Sequence, residues 1–343
     1  MEAYLLFIPV LLYILWIRHM SQNGKIPWFK DRSVAVRYNP PKGLGLLQSA
    51  FLLDTAVDKF DILPAIIELA QQGYLEVKRT FGGLEFRRIR GTDTSRLSED
   101  QRYLLHGILF PYEVQTFSMD RNDSSQREEL REKLDILKIK LDRWAAEAGY
   151  FSRRLSESRE DFLKKASLGA LPILGLILYS LIQNYGEINL IGFLMAGPVF
   201  ALGLFMLVTS VKKRNLPYGI ISLMVLGFGL FFFSHFFAGA LHGYGALLSS
   251  PQLWAYTLLL YAAAHSYLQV APYTPKGAEI HYHMLGLRTF IAHVEKDRID
   301  RFLREDPHYL DRLLPYAMFF GYGDSWGELY NELKFELPLW FRE

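Results

Sequence analysis

The sequence predicts a mainly α membrane protein, with five transmembrane helices, cytoplasmic winged-helix-like α+β modules and a helical C-terminal tail. Three observations carry this. Half of the 343 residues are hydrophobic and 22% are charged, with a mean hydropathy of +0.07. That is too apolar for an ordinary soluble domain and too charged for a bare membrane bundle. The charged residues leave long gaps, with no Asp, Glu, Lys or Arg in 166–183, 188–211 or 215–270. Ahead of those gaps, two helical patterns followed by an alternating hairpin fall within about fifty residues.

Residues 1–17 form an N-terminal transmembrane anchor whose apolar run, Ala3 to Ile17, spans about 22 Å as a helix. Glu2 precedes it and Arg18, Lys25, Lys30 and Arg32 follow it, the reverse of a cleaved signal sequence. A juxtamembrane linker, 18–38, leads to a first winged-helix-like module at 39–92. There Leu46, Leu47, Ala50 and Phe51 share a helical stripe. A second helix starts at Asp61 as N-cap, carries Pro64 in its first turn, buries Ile62, Ile66, Leu69 and Ala70, and stops at Gly73. Leu75, Val77, Leu84 and Phe86 alternate with charges around Gly82-Gly83, which predicts a hairpin wing.

A second winged-helix-like or helical module is expected at 93–165. Ser98 with Gln101 makes a capping box. A long helix from Gln126 to Ala148 bears Leu130, Leu134, Leu137, Leu141 and Trp144. The similarity of Ala70-Gln71-Gln72-Gly73-Tyr74-Leu75 to Ala146-Glu147-Ala148-Gly149-Tyr150-Phe151 suggests a tandem repeat. The four-helix transmembrane block, 166–270, divides into spans at about 166–183, 188–211, 217–240 and 253–270. Between the last two, Leu241-His242-Gly243-Tyr244-Gly245 and Ser249-Ser250-Pro251 read as turn chemistry. A helical tail, 271–343, completes the layout.

Orientation follows from the basic residues. Arg18 to Arg32, Lys164 and Lys165, Lys212 to Arg214, and Lys276 lie on one side of the predicted spans, while 184–189 and 241–252 hold no Lys or Arg. All five spans then agree on an N-terminus outside and a cytoplasmic C-terminus, in the cytoplasmic membrane.

Several short motifs fall in a recurring order around the spans: Pro40-Pro41-Lys42-Gly43-Leu44, Leu69-Ala70-Gln71-Gln72-Gly73-Tyr74-Leu75, Thr274-Pro275-Lys276-Gly277, Gly286-Leu287-Arg288-Thr289-Phe290, Leu314-Pro315-Tyr316-Ala317, then Gly321, Trp326 and Pro338-Leu339-Trp340-Phe341. In these the chain resembles the C-terminal region of the YciQ-like predicted membrane proteins of bacteria, a family of unknown function, over most of its length after about residue 39. The resemblance implies an extracytoplasmic β-rich domain before the first span, which this sequence does not contain, and fewer central spans than the four read here. If sensing in such a family depends on the outer domain, a chain of this kind is expected either to have lost that role or to be part of a longer protein. The resemblance brings no catalytic residues with it.

The absence of cysteine excludes disulfides, thiolate nucleophiles and Cys-ligated metal sites. A net charge of +2 gives no general attraction to nucleic acid. Lys78, Arg79, Arg87, Arg88 and Arg90 make the wing basic, but the would-be recognition helix, from Ile62 to Gln72, holds Glu68 and no Lys or Arg. Contact with anionic lipid or protein is therefore favoured over DNA. His281, His283 and His293 are considered as metal ligands and set aside, because helical positions two apart diverge. His235 and His265 fall in predicted spans without an intramembrane Asp, Glu, Lys or Arg, so an ion-coupled path lacks its usual parts. Gly192, Ala196, Gly197, Gly203, Gly227 and Gly229 fit close helix packing. No catalytic, cofactor-binding or metal-ligating residue is assigned, no cofactor is called for, and the reading leans away from an enzyme.

The leading expectation is a membrane-tethered protein-interaction or regulatory platform, whose partners are the bilayer and an unidentified protein, in an oligomeric state the sequence leaves open. The alternatives are a membrane-bound enzyme or transporter using the central spans, and a membrane-tethered DNA-binding regulator.

Overall fold

A computed structural model describes residues 2–22, 34–57, 60–80, 83–118, 124–185, 188–213, 219–229, 251–293, 296–332 and 341–342. The chain folds as two compact units, each assembled from separated segments: 1–25 with 155–272, and 26–154 with 273–343.

The first unit is helical. A 3-10 turn, Glu2–Leu6, leads into α1, Phe7–Gln22. After the second unit's first segment come α6, Leu155–Tyr185, α7, Ile188–Lys213, α8, Gly219–Gly229, and α9, Pro251–Gln269. Helix α6 packs through Phe162, Ala166, Ala170, Ile173, Ile177 and Leu181, a three-and-four spacing that keeps one stripe facing inward. Val10, Tyr13 and Ile17 of α1 and Tyr256 and Leu259 of α9 complete that core. The opposite faces are also apolar: Leu11, Leu12 and Leu15 of α1, Leu168 and Leu171 of α6, and Ile221, Leu223 and Met224 of α8 are all exposed. Helices that are apolar all round, yet exposed on one side, suit a lipid solvent rather than water.

Polar groups inside this unit find protein partners, as a waterless medium requires. Tyr13 Oη donates to the Ala166 carbonyl at 2.8 Å, Tyr256 Oη to that of Gly197 at 3.1 Å, and Gln252 Nε2 to Ser180 Oγ at 2.9 Å. Two glycines set the spacing of α7 and α8. A methyl at Gly203 would lie 2.8 Å from the Leu226 backbone nitrogen, and one at Gly229 would lie 3.0 Å from Phe200 Cα, whereas Gly227 faces open space.

Among the described residues, two helices are long and apolar enough to cross a membrane, over Tyr4–Ser21 and Leu155–Gln183. The expected span at 217–240 is described only over 219–229, and His235 and the phenylalanine run at 231–237 lie outside the described residues. Gln252, His265, Ser266 and Gln269 make α9 the more polar of the expected spans.

In the second unit, α2 covers Leu46–Asp54 and α3 covers Ile62–Gln71, followed by the hairpin strands β1, Leu75–Thr80, and β2, Gly83–Arg88. Helix α4, Glu99–Tyr103, runs into a π-type turn, Leu104–Leu109. Strand β3, Thr116–Ser118, and the long α5, Ser124–Glu147, come next. The second segment supplies α10, Pro275–His293, α11, Lys296–Glu305, α12, Tyr309–Phe319, α13, Gly323–Glu332, and a two-residue strand β4, Phe341–Arg342. The sheet order is β3-β2-β1-β4, with β4 parallel to β1 and the other pairs antiparallel.

Three details differ from the sequence reading. Asp61 precedes α3 in helical conformation and its side chain makes no cap bond. Residues 93–154 give no second hairpin among those described; their strand instead extends the first hairpin, pairing Phe117 with Phe86. The suspected repeat is a shared helix ending. Gly73, Gly149 and Gly321 all sit at φ between +74° and +83°. At each, the following tyrosine N–H reaches back to a carbonyl in the last turn: Tyr74 to Leu69, Tyr150 to Ala145 and Tyr322 to Ala317. Left-handed glycine satisfies the orphan carbonyls of any helix end, so capping chemistry by itself accounts for the match.

The tail is built into this unit rather than hanging from it. Helix α12 packs on α3, and α10 on α2. Gln71 Nε2 donates to the Asp311 carbonyl, Tyr273 Oη to the Leu52 carbonyl at 2.6 Å, and Tyr309 Oη to the Tyr38 carbonyl at 2.5 Å. Leu310, Leu313, Tyr316 and Trp326 are buried.

Candidate functional site

Within the second unit an open cleft of about 870 Å³ lies between the 39–44 segment, α3 and α12. Pro40 and Pro41 hold its first wall extended. The wall is fixed by the tail: His283 Nε2 meets the Asn39 carbonyl at 2.7 Å, and Arg312 Nη2 donates to Asn39 Oδ1 at 3.3 Å. Arg312 is also paired with Asp306 at 2.7 Å. Lys42 projects from the same wall, exposed.

Glu68 and Tyr316 form the floor. Glu68 is half-buried and lines the cleft. Both oxygens accept from the Leu46 N–H, at 2.9 and 3.0 Å, so the carboxyl caps the start of α2 across the fold. Gln101 Nε2 donates to Oε2 at 3.2 Å while Gln101 Oε1 accepts from the Ser98 N–H at 3.3 Å, the reach-back half of the expected capping box. Behind it, Gln48 Nε2 donates to Asp100 Oδ1 at 2.8 Å, and Gln48 Oε1 accepts from the Gly45 N–H at 3.3 Å. Asp100 is 4% exposed, and its Oδ2 has no hydrogen-bond partner.

Burial pushes the Glu68 carboxyl up to about 7, opposed by the bonds from Leu46 and Gln101 and reinforced by the charge of Asp100. Burial raises Asp100 as well, and it raises Tyr316, with a further push from Glu68. The site therefore offers a carboxyl poised to gain or lose a proton near neutrality, beneath an opening whose rim carries Lys42, His308, Asp311 and Arg312.

In the sequence Glu68 stands out only as an acid on a helix that DNA binding would want basic, but a lone carboxylate inside Ile-Leu-Pro-Ala-Ile-Ile-Glu-Leu-Ala is also a signal that something polar meets the helix there. The residues that the sequence singled out fall elsewhere. His281 Nδ1 lies 3.2 Å from Tyr273 Oη, His283 reaches Asn39, and His293 Nδ1 lies 3.0 Å from the Thr289 carbonyl, three separate contacts along α10. His265 stacks on Tyr261. Among the described residues no three His, Asp or Glu side chains converge as metal ligands would.

The wing is less basic than its composition implies. Arg87 stands opposite Glu76, and Lys78 opposite Glu85, so one face alternates in sign. Arg90 Nε donates to Gln115 Oε1 at 3.0 Å.

Residues 212–330 match the family model for the C-terminal domain of a predicted membrane protein family, DUF2207, a stretch that reaches from the end of α7 through α12 into α13. No curated protein and no solved structure matches the chain.

Proposed function

We propose that this is a multi-pass protein of the cytoplasmic membrane whose second unit serves as a protein-interaction or regulatory platform on the cytoplasmic side. The observation that carries the reading is the joint folding of 26–154 with 273–343. Two segments that share one core occupy one side of a bilayer, so the chain between them crosses an even number of times. Helix α6 supplies one crossing. A return is then required, and four spans at about 166–183, 188–211, 217–240 and 253–270 satisfy it, with 1–17 as a fifth. Lysine and arginine placement puts the shared side in the cytoplasm.

The interaction role is supported by the cleft, whose walls come from both segments and whose rim presents Lys42 and Gln72 to solvent. The helix pair and hairpin keep a winged-helix-like outline. However, α3, the element that would enter a major groove, is covered by α12, which favours a protein partner or lipid over DNA.

Reporters fused after Arg214 and Lys276 should behave as cytoplasmic, and those after Glu187 and Ser249 as external; a cytoplasmic signal at Glu187 overturns the threading. For the platform, a photo-crosslinking residue at Lys42 or Gln72 should capture a discrete partner in cells that the same probe at Arg79 does not. Equal labelling at all three positions refutes the assignment.

A further inference from the structure

Glu68 and Asp100 sit in one buried cluster to which the chain supplies amide, backbone and hydroxyl donors and no cation: Leu46 N–H and Gln101 for Glu68, Gln48 and the neighbouring Ser98 hydroxyl for Asp100, with Glu99 adding a further like charge beside Asp100. Two ionised carboxylates enclosed together repel each other and lack solvation, and the low-energy arrangement retains a proton. Four helices meet there: α2 through Leu46 and Gln48, α3 through Glu68, α4 through Asp100 and Gln101, and α12 through Tyr316.

The four respond differently to charge. Ionising Glu68 strengthens its bonds to Leu46 and Gln101, since charged acceptors bind donors more tightly, and so holds α2, α3 and α4 together. Tyr316 has a buried side chain that feels the charge of the same carboxyl, and it and Glu68 line the one cleft. Water drawn to the new charge enters between α3 and α12. The other charged groups near this opening are Lys42, His308, Asp311 and Arg312. Arg312 is engaged by Asp306, and Asp311 lies 3.7 Å from His308.

We propose that the Glu68–Asp100 pair is a proton-operated latch: protonated, it lets α12 seat on α3, and deprotonated, it loosens that seat and widens the cleft. The tail's hold on the rest of the unit thereby becomes dependent on pH near neutrality, or on any ligand that places a cation against Glu68.

The test uses the full chain in detergent or lipid nanodiscs. Hydrogen exchange of the 309–319 amides is followed from about pH 5 to about pH 9 and corrected for intrinsic rates. Protection should fall by about tenfold or more across a step centred near neutrality, and a carboxylic-acid carbonyl infrared band should disappear over the same range. Glu68→Gln should abolish both the step and the band. Asp100→Asn should keep the step but move it to lower pH, because a like charge has been removed, and it decides the matter alone if Glu68→Gln does not fold. A flat wild-type profile, a step that persists in Glu68→Gln and so belongs to His308 or another group, or an unmoved midpoint in Asp100→Asn each overturns the proposal.

Discussion

Replacing Trp326 with alanine tests whether the tail is held by packing. In α13 this indole is the one fully buried side chain among those described, 2% exposed, with Nε1 donating to the Ile291 carbonyl at 3.4 Å. The other described side chains of the helix are exposed or half-buried. Truncating a buried tryptophan to alanine costs about 3 to 5 kcal/mol, and here the loss falls on the one buried anchor among the helix's described side chains. With about 1.4 kcal/mol per factor of ten, the opening equilibrium of 323–332 should shift by at least about a hundredfold. Hydrogen exchange of the full chain reads this directly, because the 323–332 amides should lose protection while those of α2 and α3 keep theirs. Trp326→Phe, which retains an aromatic ring, should lose less. If Trp326→Ala changes protection by less than about tenfold, or if α2 and α3 lose protection equally, then α13 is not held through this side chain and the packing argument fails.

Gly203→Leu should weaken α7–α8 packing by about 1 to 3 kcal/mol, seen as earlier unfolding in a denaturing-detergent titration, while Gly227→Ala, with open space around it, should change little. Gly73→Ala places a side chain at φ +81° and should cost about 1 to 2 kcal/mol in denaturant unfolding of the polar unit. Because Glu68 sits at about 7 in the fold and at 4.5 without it, the folded state holds a proton that the unfolded chain releases earlier. Stability from this group should be complete below about pH 4.5 and decline by about 3 kcal/mol as pH rises to about 7, a slope that Glu68→Gln removes. Reversing Arg87 to Glu would set two acids opposite each other at Glu76 and cost about 0.2 to 1 kcal/mol of hairpin stability; reversing Arg88 would not, and thermal melts of the two variants should separate.

What the sequence made legible is what depends on local pattern. The hairpin and the long amphipathic α5 follow from alternation and helical stripes, and Leu134, Leu137 and Leu141 are buried as their spacing implies. The cleft was not legible, because its walls come from residues 39–44, 68–72 and 308–316 and only the docking of α12 on α3 brings them together. Nothing local in Glu68 names Leu46 or Gln101 as its partners. The repeated Gly-Tyr motif has a local meaning: a left-handed glycine followed by a tyrosine is a way of ending a helix, and the chain continues from its three instances into a strand, a short bridge and another helix.

The split construction of the polar unit also sets an order on biogenesis. The ribosome finishes α3 about 250 residues before α12 is complete, a delay of some 10 to 50 s at about 5 to 20 residues per second. Through that interval the apolar side of α3 that α12 will cover is open to chaperones and proteases. On the proposed threading, the covering helix reaches the same side of the bilayer as α3 only if an even number of intervening spans has inserted. A chain that skips one crossing would then strand its tail across the membrane and leave that side of α3 bare, which ties completion of the second unit to correct insertion of the chain between its two segments.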